Sequence, residues 1–383
     1  SLRWGSDGWL YAAQGSTVTG RVRAPATTGS APTNLVLSQG QNIWRYHPET
    51  HRYEIFAEGG GNAFGVEMDD KGRVYSGHNG GDTRGFHYMQ GAYLRKGFEK
   101  HGELSNPYAF GYFPNMTGTP GERFTHNFVI NHGGALPARY DGMLFGVEPL
   151  QGRVVLSEIT PEGSTFKTRD LERVVTSRDS WFRPVDIKVG PDGAIYVCDW
   201  YDRQVTHTRN QEGNIDTSNG RIYRLKAKGA TPLAPFNLAA LSNEQLIGLL
   251  NHSNTWFRQT IQRLIADRHE ATLGPRLQQL VAQSSGQLAL EALWACHSSG
   301  GLTEAAARSF LDHPEPQIRL WTVRLLGDDA TVSPALLRQF AELAGREPNV
   351  EVRAQLAATA QRLPAAAGLA IVGRLALHDA DTK

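Results

Sequence analysis

The residues able to do chemistry gather at the ends of short β-rich runs. His78 lies in "SGHNGGD" and His132 in "VINHGGALP", each just ahead of a double glycine in what reads as equivalent loops. An imidazole there can take a proton near neutral pH, and the glycines let backbone and side chain approach a ligand. A second group surrounds "SWFRPVDIKVGPDGAIYVCDWYD", residues 180–202. Arg183 and Asp186 precede its Asp-Gly turn, and Asp199, Tyr201 and Asp202 follow its second strand. A planar guanidinium matches carboxylates through paired N–H donors, so Arg183 is suited to an anionic ligand. Asp199 or Asp186 would then polarise a histidine or bind a metal. Period-2 alternation brings Arg183 and Asp199 to the same end of one hairpin, within ion-pair reach. The alternative for this pair is a structural bridge that joins sheet to sheet and keeps buried charge paired. His126 in "FTHNF" and His207 beyond "DWYD" also sit at strand ends, while His47, His51 and His101 read as surface residues.

Two further stretches carry polar or aromatic chemistry. "DTRG" (82–85), "NIDTSNG" (214–220) and "DWYD" offer oxygen ligands of the kind calcium prefers, without EF-hand spacing. "NIDTSNG" is read more economically as an Asx-rich turn. Residues 84–125 form a long aromatic loop in which Tyr88, Tyr93, Tyr108, Phe110, Tyr112 and Phe113 would make a lid or cover exposed sheet.

The elements that must position these residues fall into two halves. Up to about residue 228, short runs such as "RVYSG", "RVVLSEI", "AIYVCDW" and "RIYRL" alternate apolar and polar between Gly, Asp, Asn and Pro. From about 236, "FRQTIQRLIADR", "LALEALWACH" and "PALLRQFAELAG" carry helical spacing instead. The expected division is a β domain over 1–228, a linker over 229–236 and an α domain over 237–383. At 383 residues with 40% hydrophobic and 20% charged content, two cores are expected. A net charge of +1 gives no reason to expect a nucleic-acid or anionic-membrane surface. Two cysteines in different halves argue against a disulfide, and neither a zinc-type spacing nor CxxCH occurs. No apolar run is long enough to span a bilayer.

Both halves repeat. A strand, a polar turn ending in glycine and a second strand recur around Gly8, Gly72 and Gly193, 64 and 121 residues apart, with Asp141-Gly142 filling the double gap. A unit of about 60 residues suits a β-propeller blade with generous loops, against a β-sandwich with coincidental hairpins. In the second half "HSNTWFR" (252–258), "HPEPQIR" (313–319) and "EPNVEVR" (347–353) each end on an arginine at a helix start. A period of about 30 points to a HEAT-type α-solenoid. Each arginine is expected to bond backbone carbonyls or an acid of the next repeat.

"LRWGSDGWLYAAQG", "LPARYDGMLFGVEPLQGRVV" and "DSWFRPVDIKVGPDGAIYVCDWYD", followed by helical repeats, resemble a family of membrane-bound dehydrogenases of planctomycetes and verrucomicrobia. The resemblance covers about 1–360. It implies a propeller similar to glucose/sorbosone dehydrogenases, which use pyrroloquinoline quinone (PQQ), then HEAT repeats and a C-terminal cytochrome c module. The fold class expected is thus β plus α: a partial propeller followed by a solenoid. The resemblance implies a periplasmic sugar or aldehyde dehydrogenase; the residues read above would then serve it, His78 and His132 as base and Arg183, Asp186, Asp199 and Tyr201 to hold PQQ. Calcium is a further expected cofactor. Electrons would pass to the haem module, which this sequence lacks. Four units do not close a six-bladed ring, so an N-terminally truncated, open arc is expected. The alternative function is a non-catalytic scaffold for a polysaccharide or protein partner.

Overall fold

Strands fill the chain as far as Leu225 and helices follow from Leu238, in a computed structural model that describes residues 2–16, 18–23, 35–80, 83–96, 111–118, 125–203 and 218–381. The first sheet starts with β1 (Leu2–Trp4) and β2 (Leu10–Gln14); a separate two-stranded hairpin of β3 (Gly20–Val22) and β4 (Val36–Ser38) follows, and then β5 (Asn42–His47) and β6 (Arg52–Gly60) of the first sheet. The second is β7 (Glu67–Met68), β8 (Val74–Gly77) and β9 (Gly85–Tyr88). The next strand, β10 (Tyr93–Lys96), returns to the first sheet and lies parallel to β6. β11 (Thr117–Gly118) opens the third sheet, built mainly from β12 (Asn127–Ile130), β13 (Leu144–Glu148), β14 (Arg153–Glu162) and β15 (Thr165–Thr176). The fourth sheet is β16 (Pro184–Val189), β17 (Ile195–Asp199) and β18 (Arg221–Leu225).

Each of these sheets contains the hairpin that the sequence repeats. Gly8, Gly72, Gly142 and Gly193 have φ of 82°, 71°, 72° and 73°, the left-handed region in which a side chain is costly. Three residues beyond each glycine stands a ring: Tyr11, Tyr75, Phe145 and Tyr196. Tyr11 donates its hydroxyl to Asp7 at 2.5 Å and Tyr196 to Asp192 at 3.2 Å, so the turn aspartate is pinned by the following strand. In the second sheet Lys71 occupies the position before glycine, and Asp69 takes the Tyr75 hydroxyl instead, at 3.3 Å.

The sheets pack face to face in chain order. Trp9, Tyr11, Phe56, Met68 and Phe86 join the first two. Tyr75, Phe128 and Phe166 join the second and third. Val147, Leu156, Ile187 and Val197 join the third and fourth. Ile187 pairs with Val197 and Val189 with Ile195, the alternation that the sequence implies. The stretch 84–125 is not a single loop: β9, β10 and β11 lie within it. Tyr88 is core, and the Tyr93 hydroxyl bonds Glu58 at 3.1 Å. Tyr112 lies exposed beneath Arg95, while Tyr108 and Phe110 fall outside the described residues.

The helical half comprises α1 (Asn243–Gly248), α2 (Thr255–Arg268), α3 (Gly274–Gln283), α4 (Gly286–Ser298), α5 (Glu304–Phe310), α6 (Pro316–Gly327), α7 (Pro334–Arg346), α8 (Val350–Arg362) and α9 (Ala365–Leu375). Ser242, Asn254, Thr303, Ser333 and Asn349 cap their helices with side-chain acceptors. The even-numbered helices α2 to α8 stack into one layer. The three repeated arginines do what their spacing implies. Arg258 donates to the carbonyls of His252 and Ser253 at 2.7 and 2.9 Å and to Glu291 at 2.9 Å. Arg319 donates to His313 and Pro314 carbonyls and to Glu347, and Arg353 to the Glu347 carbonyl and Asp381. Each guanidinium thus closes its own turn and reaches an acid in the following helix pair.

This helical layer holds the hairpin turns of the sheets. Gly72 presses on the Trp321 ring, where a Cβ would lie 2.5 Å away, and Trp321 Nε1 donates to the Lys71 carbonyl at 2.8 Å. Arg73 forms a two-pronged pair with Glu351 at 2.8 and 2.9 Å. Asn254 donates to the Gly190 and Pro191 carbonyls at 3.0 and 2.9 Å. In the first sheet Arg45, wholly buried over the Trp9 ring, pairs with Asp328 at 2.7 Å, while Arg324 reaches Asp7 at 3.0 Å.

Candidate functional site

Each sheet has one end against the helices and one end away from them. The backbones of His78 and Thr125 exchange hydrogen bonds of 2.8 and 3.0 Å, which joins the end of β8 to the approach of β12. His126, the next residue, bonds the backbone of Val185 beside the start of β16. Pro184 pairs with Asp199 across the fourth sheet. His78, His126, Arg183, Asp186 and Asp199 therefore share the end remote from the helices. His132 does not. It follows β12 at its other end, where its carbonyl accepts from Thr255 N at 3.0 Å and its Nδ1 lies 3.2 Å from Asp141. The equivalence of the two double-glycine loops fails because His78 follows the second strand of its hairpin and His132 the first.

At the shared end His78 is buried and meets Phe86 edge-on at 4.8 Å. Gly61 makes this possible, since a Cβ there would stand 1.9 Å from His78 Nδ1. His126 stacks on the part-exposed ring of Phe64 at 4.4 Å. Burial pushes the His126 imidazole down to about 4, so it is neutral at pH 7 and, at that value, a weak base. Asp186 takes Asn127 Nδ2 at 2.6 Å, Lys188 Nζ at 2.8 Å and Ile187 N at 3.0 Å. Burial alone would raise its carboxyl. Lys188 and these donors outweigh that and hold it below the usual range.

The expected Arg183–Asp199 ion pair is not formed. Asp199 instead accepts the backbone N–H groups of Arg183 and Tyr201, at 2.8 and 2.9 Å. A carboxylate at a strand end is claimed by the nearest amides, which leaves the guanidinium to other acceptors. Arg183 donates to the carbonyls of Phe182 and Arg203 at 2.9 and 2.8 Å, and its Nε is buried with no hydrogen-bond partner among the described residues. Tyr201, at φ 58°, has its ring between Trp181 at 5.6 Å and the Arg221 guanidinium at 3.8 Å. Arg221 Nη1 is likewise buried without an acceptor among the described residues.

A bridge between sheets does exist, made by other residues. Arg84 reaches across from the second sheet to Glu148 and to both oxygens of Asp170 in the third, and donates to Thr125 Oγ1 at 3.2 Å. Arg153 donates to the second oxygen of Glu148, and Ser157 to Asp170 at 2.7 Å. The sequence reading missed this network. Its one trace was "DTRG", read for calcium, in which Arg84 is the working residue. Asp82, residues 214–217 and His207 lie outside the described residues. Among the described residues no group of three or more His, Cys, Asp or Glu is arranged to hold a metal ion. Both cysteines are free, and no described helix is long and apolar enough to cross a membrane.

Residues 1–229 match the family model of a domain of unknown function, DUF7133, and the chain belongs to that family. Among curated proteins none matches. Of solved structures, an oxidoreductase described as a glucose dehydrogenase from Thermus thermophilus is similar at 20% identity and a TM-score of 0.39, over 58% of this chain and 63% of that one. The soluble aldose sugar dehydrogenase of Escherichia coli, in its apo form, is similar at 17% identity and a TM-score of 0.34, over 52% of this chain and 60% of that one. A further glucose dehydrogenase has 15% identity and a TM-score of 0.34, over 59% of this chain and 63% of that one. The chain thus spans less than two thirds of these structures.

Proposed function

We propose that this DUF7133 protein is a quinone-dependent dehydrogenase of sugars or sugar-derived aldehydes, with its site at the sheet ends remote from the helices. The observation that carries the reading is the gathering of His78, His126, Arg183 and Asp186 at that end. In this reading the four stacked sheets are blades of a β-propeller arc, and the helix pairs are HEAT-type repeats that cover the opposite face. The repeated turn geometry and the arginine ladder support both assignments.

The residues present fit a planar ligand that bears carboxylates. Arg183 and Arg221 each keep a buried N–H with no acceptor among the described residues, beside the Tyr201 and Trp181 rings. Buried cationic donors left unspent favour an anionic guest. When bound, PQQ would supply a two-electron acceptor for the substrate carbon. Arg183 and Arg221 would hold its carboxylates. His126 would accept the substrate hydroxyl proton only with the Asp186 carboxylate beside it to favour the imidazolium against burial, and Asp186 would orient the site through Asn127. His78 would position His126 through its pairing with Thr125. Asp199 and Tyr201 would shape the Arg183 turn. Calcium stays in the proposal as a further cofactor, for which the described residues supply no group of three or more His, Cys, Asp or Glu. A periplasmic location, a haem partner and kinship with the planctomycete and verrucomicrobial dehydrogenases complete the proposal, on the motifs quoted above.

The test is PQQ titration, followed by cofactor absorbance and thermal shift, with dye-coupled aldose oxidation as the second readout. Arg183→Ala should lose binding. His126→Ala should keep binding and lose turnover, and His132→Ala should change neither. No PQQ binding by the folded protein overturns the reading. One observation favours the scaffold alternative: an apolar groove of about 750 Å³ between Ala92, Phe113 and the α8–α9 residues Leu363, Leu369 and Val372.

A further inference from the structure

The cleft between the first sheet and helices α2, α4 and α6 holds three histidines that the proposed chemistry does not use. It measures about 200 Å³, and His47 from the end of β5, His269 from the end of α2 and His297 from α4 line it. His47 is therefore not the surface residue its sequence setting implies. It packs edge-on against Trp9 at 5.1 Å, and Glu49, Asp7, Arg52 and Arg45 face it. His297 faces Asp7 from the β1–β2 turn, Asp328 and Asp329 beyond α6, and His47. From α2, Arg263 and Asp267 line the cleft and pair with each other at 2.5 Å.

The nearby aspartates are already committed, and Glu49 is exposed beyond the end of β5. Asp328 receives both Nη groups of Arg45, at 2.7 and 3.2 Å, and Gln90 at 3.0 Å. Asp7 receives Arg324 and Tyr11, and Asp329 receives Arg52 at 3.1 Å. An imidazolium at His297 would find these aspartates already engaged and would face His47, and one at His47 would also lie beside the cations Arg52 and Arg45.

We propose that this cleft is an acid-sensitive latch, in which protonation of His297 and His47 releases the first sheet from the helical half. Burial holds both imidazoles below the ordinary value of 6.5. The docked state keeps them neutral and the released state binds the protons. Docking is thus complete above about pH 6.5 and weakens as pH falls below it. Phe64 follows β6 of the same sheet and stacks on His126, so release would reach the candidate site, a consequence that rests on the reading above.

The test is backbone hydrogen exchange of the whole chain between pH 8 and pH 5, corrected for intrinsic rates. Residues 9–14, 43–47 and 318–329 should lose more protection at acid pH than 144–148 of the third sheet. The double variant His47→Gln/His297→Gln should lose that difference between the two sets of residues. Equal protection of the wild type at both pH values overturns the latch, as does an unchanged acid response in the double variant. If the double variant does not fold, His47→Gln alone must weaken the response, and an unchanged response refutes the proposal. The readout needs neither PQQ nor activity, so its failure is separate from that of the dehydrogenase reading.

Discussion

Arg84→Met tests whether the second and third sheets are joined by charge. Arg84 is 3% exposed and donates to Glu148, Asp170 and Thr125. Methionine keeps most of the volume and removes every donor. Removing one member of a buried ion pair costs about 3–5 kcal/mol, because the partner charge stays behind. Two features pull the expectation to the lower limit. Glu148 keeps Arg153, and the Asp170 side chain is 23% exposed and keeps Ser157, so water and a hydroxyl take up part of its solvation. The expected loss is about 3 kcal/mol, or about 6–12 °C in Tm at about 2–4 °C per kcal/mol for a unit of this size. Urea unfolding followed by tryptophan fluorescence, with far-UV circular dichroism for the helices, measures it and shows whether the halves unfold together. Adding Asp170→Asn to Arg84→Met should recover part of the loss, whereas Asp170→Asn alone should destabilise. A loss below about 1 kcal/mol, or no recovery in the double variant, would refute the reasoning.

Acid should weaken the sheets as well as the latch. Burial pushes His126 down to about 4 and His87 to about 3, so both are neutral when folded and protonated when unfolded below about 6.5. Their contribution to stability is complete above about pH 6.5 and is lost as pH falls toward 4 and then 3. His87→Phe, in a pocket of Tyr75, Phe113 and Phe166, should flatten the lower part of the pH–stability curve measured by urea unfolding. Gly72→Ala combines a left-handed φ of 71° with a Cβ 2.5 Å from the Trp321 ring. It should cost about 2 kcal/mol or more and raise protease sensitivity where α6 meets the sheets. Arg258→Met leaves Glu291, itself buried, with the amides of Gln262 and Gln287 as donors in place of a cation. It should cost about 3 kcal/mol in urea unfolding and melt α2 before α8.

The sequence made the repeats legible because they are local. A left-handed glycine and a ring three residues on belong to one hairpin, and the arginine ladder is written within about 35 residues of helix. What it could not give is which end of a strand a residue occupies in space. His78 and His132 share a motif, yet one follows a second strand and the other a first. Asp199 and Arg183 were matched by charge, but the amides at a strand end stood closer to the carboxylate than the guanidinium did. Arg84, Glu148 and Asp170 are 64 and 86 residues apart in the pairs they form, with no periodic signal to join them. The interface charges Arg45 and Asp328 are separated by 283 residues and were equally silent.

The turn motif also explains how one repeated pattern gives sheets with different duties. In the fourth sheet Asp192 binds Tyr196 and pairs with Arg224 of the same sheet, so the unit satisfies itself. In the first sheet Asp7 makes the same bond to Tyr11 but turns its remaining capacity outward to Arg324 of α6. The second sheet gives up the aspartate before glycine, uses Asp69 for Tyr75 and Arg73, and frees Arg73 to reach Glu351 of α8. Burying a charge requires a partner, and a turn that already supplies one can borrow the second from another element with little added penalty. Docking of the helical half was thus available to any unit whose turn carboxylate or arginine had an unused hydrogen-bonding edge. The sheet ends bearing His78, His126 and Arg183 lie opposite those turns, so the helices do not cover them.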